Sequence, residues 1–335
     1  MFGLFKKKLP LGVDIGHNSI KIVEIKNSNP LPELKNYLLK KLPSRIVNNG
    51  RLKDERALIE ILKHLKEEKD LKKDKVVLGL AGERLIIKKL KLPVMEKIEL
   101  KKSIGWEIDD YLPFSWEKAS IDYQILNQTT NKMEVLVAAI RDEIVFQYAS
   151  VLEKAGFKVK AVDLQCLGLQ RLLKNRDSFN KENLILVDLG ARKIEMIFFK
   201  KGSFNFRRSF KFNCDKLASE LKEASIELKK YNKKDIKRQK SKKINSLKKL
   251  LNEIELLLYQ LANKDELDRI VLTGGGAMIN DLSLLLSRVL KVKVEKFNLL
   301  NKVQFNPRNF SPHLLREKMS LLSAAVGLTL RGLDI

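Results

Sequence analysis

The chain has 335 residues, 44% of them hydrophobic, enough apolar material for two packed lobes and too much for a mostly disordered chain. Lysine and arginine outnumber aspartate and glutamate 66 to 41, a formal charge of +25 that bears on partners and solubility and not on fold. The two cysteines, Cys166 and Cys214, stand far apart in no Cys-x-x-Cys pairing, so neither a disulfide framework nor a zinc site is expected and a reducing cytoplasm fits.

The opening Met1-Phe2-Gly3-Leu4-Phe5-Lys6-Lys7-Lys8 has too short an apolar stretch to form the core of a secretion signal. A strand, a tight Asp-x-Gly turn and a returning strand follow, in Leu11-Gly12-Val13-Asp14-Ile15-Gly16 with Ile20 and Ile22-Val23. Asp54 to Leu71 carries Ala57-Leu58, Ile61-Leu62 and Leu65 at helical spacing, and Val76 to Leu80 reads as a buried strand. The next stretch has its own pattern: a strand over Leu85 to Leu92, a helix over Glu96 to Tyr111 stopped before Pro113, strands over Ala119 to Leu126 and Met133 to Ala139, and a helix over Asp142 to Ala155 ended by Gly156. It reads as a small α+β subdomain inserted into the first lobe.

The opening hairpin then recurs. Leu186-Val187-Asp188-Leu189-Gly190, with Ile194 and Met196-Ile197, repeats it 174 positions on, counted from Asp14 to Asp188. Glu182 to Phe199 and Ser203 to Phe212 form a meander turning at Gly202, and helices over Lys216 to Tyr231 and Ile244 to Leu261 flank a lysine-dense connector, Lys229 to Lys243, read as a solvated surface. Ile270 to Leu272 is a strand entering Thr273-Gly274-Gly275-Gly276-Ala277, and Asn280 to Leu290 resumes as helix. The apolar Lys318 to Leu330 reads as a buried core helix with Gly327 as a packing residue; Met319 to Leu330, the longest uncharged apolar run, falls short of the ~20 residues a membrane-spanning helix needs.

Glycine turns after strands aim backbone amides at anions, so the three turns are phosphate-site candidates. The glycines at 274–276 make no dinucleotide fingerprint, because Ile279 stands where the third glycine would fall, and no Gly-Lys-Ser/Thr occurs for a Walker loop. The combination is more specific. Asp14 and Asp188, at matching strand ends, would face one another and hold Mg²⁺ through water, while Lys21 on the returning strand would reach the same phosphates. Phosphate-binding candidates are Asp14, Gly16, His17, Asn18, Ser19, Lys21, Asp188, Gly190, Ala191 and Arg192, with His17 reading more readily as a solvent-facing turn residue. The expected ligand is a nucleotide. The +25 charge fits a lysine-rich solvated surface, an anionic membrane leaflet or nucleic-acid phosphates, and no nucleic-acid motif favours the last.

These motifs, in this order, resemble the phosphate and adenosine motifs of the actin, heat-shock chaperone and sugar-kinase superfamily. LGVDIGHNSIKIVEI from Leu11, KLPVMEKIELKKSIGWEIDDYLPFSWEKASIDYQIL from Lys91, VAAIRDEIVFQYASVLEKAGFKVKAVDLQCLGL from Val137, LTGGGA from Leu272 and AAVGLTLRG from Ala324 go further. Over most of the chain they resemble the PilM family of type IV pilus assembly proteins, actin-like relatives of the division protein FtsA. The resemblance implies an α/β, two-lobed actin-like (ribonuclease H-like) fold: a first lobe over 1–87, continued at 157–181 and 318–335, an insert over 88–156, and a second lobe over 182–317 with a helical basic segment at 216–262.

It implies as well a cytoplasmic ATP-binding protein, peripheral at the inner membrane, that holds the cytoplasmic N-terminal peptide of its partner PilN. The groove for that peptide would lie between the insert and the first lobe, drawing attention to Arg84, Leu85, Ile86, Ile87, Trp106, Tyr111 and Phe114, although core packing is the alternative role for the aromatics. Gly274, Gly275, Gly276, Ala277, Glu227 and Lys229 would hold the adenosine, and either Asp163 or Gln165 would position water. Two departures bear on turnover: Arg192-Lys193 follows Asp188-Leu189-Gly190 where the family has Thr or Ser, and Asn213-Cys214 replaces a Gly-Gly, asparagine being able to adopt glycine's left-handed conformation. Hydrolysis is therefore expected to be weak or absent. The alternatives are an FtsA-like, self-associating filament protein at the membrane and a small-molecule kinase of the same superfamily, for which no acceptor signature is found.

Overall fold

The computed structural model describes residues 8–48, 50–68, 71, 73–82, 85–174, 179–228, 244–261 and 267–333. The chain begins as the expected hairpin: β1 (Leu11–Ile15) and β2 (Ser19–Lys26) pair antiparallel, with Asp14 opposite Lys21. β3 (Glu33–Lys41) pairs with β2 and is not expected from the sequence. Only Leu34 and Leu38 along it are buried, so its strand state comes from the partner's open edge and not from its own alternation. After the short pair β4 (Val47–Asn48) and β5 (Arg51–Leu52), Asp54 caps α1 (Glu55–Glu68) by accepting from the Ala57 amide at 3.0 Å. Leu58, Leu62 and Leu65 turn one face of α1 inward.

β6 (Lys75–Leu80) then runs parallel to β1, and β10 (Lys158–Leu164) runs parallel to β6. Between them lies a three-stranded antiparallel sheet, β7 (Ile86–Pro93), β9 (Lys132–Arg141) and β8 (Ala119–Gln128) in that spatial order. α2 (Lys97–Asp109) lays Leu100, Ile104 and Ile108 on Leu90, Met133, Val135 and Val137 of that sheet, giving the insert its own core. α3 (Asp142–Lys154), expected as the end of the insert, belongs elsewhere: Ile144, Tyr148, Val151 and Leu152 pack with Leu58 and Leu62 of α1 in the first lobe's core.

α4 (Gln165–Lys174) leads to the second hairpin, β11 (Asn183–Leu189) and β12 (Lys193–Lys200), continued by β13 (Ser203–Lys211) around Lys201 and Gly202, both at positive φ. α5 (Cys214–Leu228), α6 (Asn245–Gln260), β14 (Arg269–Thr273), α7 (Leu282–Leu290) and β15 (Lys293–Lys296) complete the lobe. The second sheet runs β13-β12-β11-β14-β15; the first runs β10-β6-β1-β2-β3 with β16 (Gln304–Phe305) added at its edge. Taken from β3, the two orders are the same, with β1, β2, β3, β6 and β10 answering to β11, β12, β13, β14 and β15. β16 pairs with β3, so the chain re-enters the first sheet before the expected end of the second lobe at 317.

α8 (Pro312–Leu330) lies beside α4, and the two form a layer between the sheets. One buried cluster joins Leu169, Leu172, Leu322, Ala325 and Val326 of these helices to Val23 and Ile25 on one side and Leu186, Ile197 and Val271 on the other. Among the described residues no helix is long and apolar enough to cross a membrane.

Candidate functional site

The two hairpin turns and the glycine turn after β14 open onto one cleft between the lobes, a cavity of about 350 Å³. β1 delivers Asp14, and the Gly16 amide closes the turn on the Ser19 carbonyl at 2.9 Å. Asp14 is 5% exposed, with Oδ2 at 3.0 Å from Lys21 Nζ and Oδ1 accepting from Gln165 Nε2. Gly16, His17, Asn18 and Ser19 line the cleft beside them. From the second lobe β11 brings Asp188, followed by Gly190, Ala191 and Arg192, and the third turn brings Gly274, Gly275 and Gly276. Gly274 has φ of 78°, and a Cβ there would stand 2.2 Å from Asp188 Oδ1 and 2.9 Å from the Leu189 carbonyl oxygen. Glycine is what lets the third turn close on Asp188.

Burial pushes the Asp188 carboxyl up to about 6; Lys193 opposes the shift, Glu195 and Asp14 add to it, and Lys21 opposes it. Asp188 thus senses the Asp14 carboxylate across the cleft. His17 is held below its ordinary value by burial and then by Arg192, which keeps the imidazole mostly neutral near pH 7. Three positive side chains, Lys21, Arg192 and Lys193, border the same space, a charge balance suited to a polyphosphate. Among the described residues no cluster of three His, Cys, Asp or Glu groups could ligate a metal directly. Two carboxylates separated by the cleft suit a cation held through its water shell and through ligand oxygens.

The two water-positioning candidates are placed apart. Gln165 lies in the cleft against Asp14, whereas Asp163 lies outside it, 2.5 Å from Arg171 Nη1 and 3.2 Å from Arg331 Nη1, with its own carboxylate also accepting from the Leu164 amide at 2.7 Å. In a continuous strand the two would share a face; the change from strand to helix at Gln165 separates them, leaving Asp163 beside Arg171 and Arg331 while Gln165, the first residue of α4, reaches the cleft. Asp163→Asn is accordingly expected to lower stability by about 1–2 kcal/mol through weakened charged hydrogen bonds, read by melting beside the parent.

Of the adenosine candidates, Gly274, Gly275 and Gly276 line the cleft, and Ala277 is fully buried in the second lobe's core. The side chain of Glu227 and the whole of Lys229 lie outside the described residues. Past Gly275 and Ile279 the cleft continues into a cavity of about 820 Å³ between α5 and α7, with Lys222 and Arg288 at its wall. Asn213 is not left-handed: its φ is not positive, and its side chain instead accepts from the Lys216 amide at 3.1 Å, capping α5. The sequence reading missed Tyr148, Thr273 and Ser320, Leu321 and Ala324 of α8 as cleft residues. Ser320, Leu321 and Ala324 belong to a largely apolar helix that also fills the core, so no local pattern marks them as cleft residues.

A second cavity, about 360 Å³, lies between the insert and the first lobe. Leu85 and Ile87 border it with Ser120 through Gln124 of β8, Ala138 of β9 and Leu164 and Leu167 from the first lobe. Ile86, Trp106, Tyr111 and Phe114 do not, and Arg84 lies outside the described residues. Trp106 is 66% exposed, so it is not a core residue either; the Tyr111 ring sits 4.2 Å from Lys88 Nζ and the Phe114 ring 4.2 Å from the Arg141 guanidinium carbon.

Residues 12–333 match the family described as type IV pilus assembly protein PilM. Among solved structures, that of a PilM–PilN type IV pilus biogenesis complex superposes with a TM-score of 0.84 at 24% identity, over 98% of this chain and 100% of that one. The ethanolamine utilization protein EutJ of Carboxydothermus hydrogenoformans gives 0.53 at 16% identity, over 96% of this chain and 89% of that one. A Bacteroides thetaiotaomicron protein of actin-like ATPase fold gives 0.50 at 14% identity, over 89% and 94%. At these identities the structural likenesses establish the two-lobed actin-like fold.

Proposed function

The chain belongs to the PilM family of type IV pilus assembly proteins, and from that premise we propose that it is an ATP-binding scaffold of the pilus assembly platform, cytoplasmic and held against the inner membrane by its partner. The observation that carries this reading is the convergence of three glycine turns, Asp14, Asp188 and Lys21 on one cleft. Mg·ATP would lie with its phosphates against the amides after Gly16 and Gly190, its cation held through water by Asp14 and Asp188, and Lys21 leaving Asp14 for the phosphates. The base would extend past Gly275 into the cavity walled by Lys222 and Arg288. The residues fit the group: the turns are shaped by glycine, and each lobe brings a carboxylate with positive side chains, Asp14 with Lys21 and Asp188 with Arg192 and Lys193. Gln165, which donates to Asp14, would orient a water, and nothing else in the reading requires that ATP be turned over.

The partner would be the cytoplasmic N-terminal peptide of PilN, seated in the cavity between insert and first lobe. The similar solved structure of a PilM–PilN complex supports the choice of partner. β8 is an edge of its sheet, and five successive residues of it, 120–124, border the cavity. A strand whose two faces both border one space turns its edge to it, where the Tyr123 amide donates to Asp122 Oδ1 at 2.9 Å, and an edge strand suits pairing with an extended peptide.

The test is a calorimetric titration of the purified chain with Mg·ATP and, separately, with a synthetic peptide of the PilN N-terminus. Saturable binding of both is expected, with Ala138→Glu, which fills the peptide cavity from its floor, weakening the peptide at least about 10-fold while ATP affinity holds. A chain freed of copurified nucleotide that takes up neither ligand rules the proposal out.

A further inference from the structure

Lys21 on β2 and Glu195 on β12 occupy equivalent places in the two hairpins, opposite Asp14 and Asp188 respectively. Their charges are opposite. Lys21 serves the cleft, whereas Glu195 is 2% exposed and turned to the other neighbours of its strand. Its Oε2 lies 3.0 Å from Lys193 Nζ, and its Oε1 accepts from Arg207 Nε at 2.5 Å. Burial alone would raise the Glu195 carboxyl, but Arg207 and then Lys193 outweigh it and hold it at about 2, so the group is charged throughout the physiological range.

The guanidinium of Arg207 has further donors, and they leave the second lobe. Nη2 donates to the Gly82 carbonyl at 2.9 Å and Nη1 to the Leu85 carbonyl at 3.0 Å. Gly82 lines the ATP cleft, Leu85 lines the peptide cavity, and Leu85 directly precedes β7, the strand by which the insert leaves the first lobe. At the near end of the chain, Lys193 lines the cleft beside Asp188. One buried fork therefore grips Glu195 and both carbonyls, and its planar geometry tolerates little relative movement of the three.

We infer that Arg207 is the positioning residue that couples the two sites, transmitting a change at Lys193 and Asp188 in the cleft to the Leu85–Ile87 wall of the peptide cavity. A ligand that draws Lys193 toward phosphate alters the hold on Glu195, and Arg207 carries the shift to residues 82 and 85. By reciprocity the peptide acts back on nucleotide affinity by the same factor. The inference rests on the reading of these two cavities as the ATP and PilN-peptide sites.

Hydrogen exchange of the amides in 86–92, with and without saturating Mg·ATP, reads the coupling without needing the peptide. In the intact chain the exchange rates are expected to change at least about fivefold on ATP binding, the low end of allosteric coupling. Arg207→Lys keeps a charge for Glu195 but cannot hold both carbonyls, and should reduce that change to less than about twofold with ATP still bound. The double variant Arg207→Gln with Glu195→Gln removes the two buried charges together, leaves only the partly exposed Lys193 without its carboxylate, and should show the same loss if the lysine variant does not fold. Exchange in 86–92 that does not respond to bound ATP in the intact chain, or that responds equally in a folded Arg207 variant, overturns the inference and leaves the two sites standing as independent. An intact chain that binds no ATP overturns the cleft reading and the coupling together.

Discussion

Gly327→Ala is expected to lower the unfolding free energy by about 3 kcal/mol or more, although alanine is the better helix former by about 1 kcal/mol. The added Cβ would stand 2.0 Å from the Gly168 carbonyl oxygen and 2.4 Å from its carbonyl carbon. Both are backbone atoms of α4, so no rotamer change makes room. The helices must separate, and they form the layer on which both sheets pack, so the disturbance reaches Val23 and Ile25 on one side and Leu186 and Val271 on the other. Gly275→Ala makes the contrasting case: its Cβ would meet only a methyl of Leu321 at 3.2 Å, which can swing aside, and its melting should stay close to the parent's. Urea or thermal unfolding compares the three proteins directly. Equal midpoints for Gly327→Ala and the parent would mean that the α4–α8 contact is slacker than the geometry requires.

Asp188→Asn should abolish measurable Mg·ATP binding and, in the same protein, raise the stability of the nucleotide-free chain. The carboxyl titrates near 6 in the folded state against 3.8 for the free group, because burial disfavours its charge. A raised folded value means that the favourable contribution is complete below the unfolded value and is lost as pH rises through the folded one. At pH 7.5 the ionised group therefore opposes folding, by at most about 3 kcal/mol for a shift of this size. Asparagine keeps the shape without the charge, so the gain should be present at pH 7.5 and should vanish near pH 2.5, well below both values, where Asp188 is protonated folded and unfolded alike. Melting curves at both pH values, beside an ATP titration at pH 7.5, separate the two effects. A variant that binds ATP like the parent removes Asp188 from the cation's water shell; a variant no more stable at pH 7.5 shows that Lys193 already offsets the burial. A carboxylate costly to the empty cleft and needed by the full one is how a binding site trades stability for function.

The sequence alone determined the doubled hairpin, and with it the two-lobed architecture and most of the cleft. Asp14 and Asp188 recur at a fixed interval because each ends a strand that turns on an adjacent glycine, and such turn chemistry is local. Gly327 as a packing residue was legible for a related reason: a glycine within an apolar helix has little other use.

What depended on more than one segment was decided by the tertiary structure. Whether Asp163 or Gln165 faced the cleft turned on where β10 gives way to α4, and the arginines that claim Asp163 come from α4 and from residue 331. α3 joined the first lobe because its partners on α1 lie some ninety residues earlier, beyond the reach of periodicity. Arg207 carried no mark in the sequence beyond its charge, since its meaning lies in two backbone carbonyls of another lobe. Side-chain patterns report which face of an element is buried; only the packed chain says what the face is buried against.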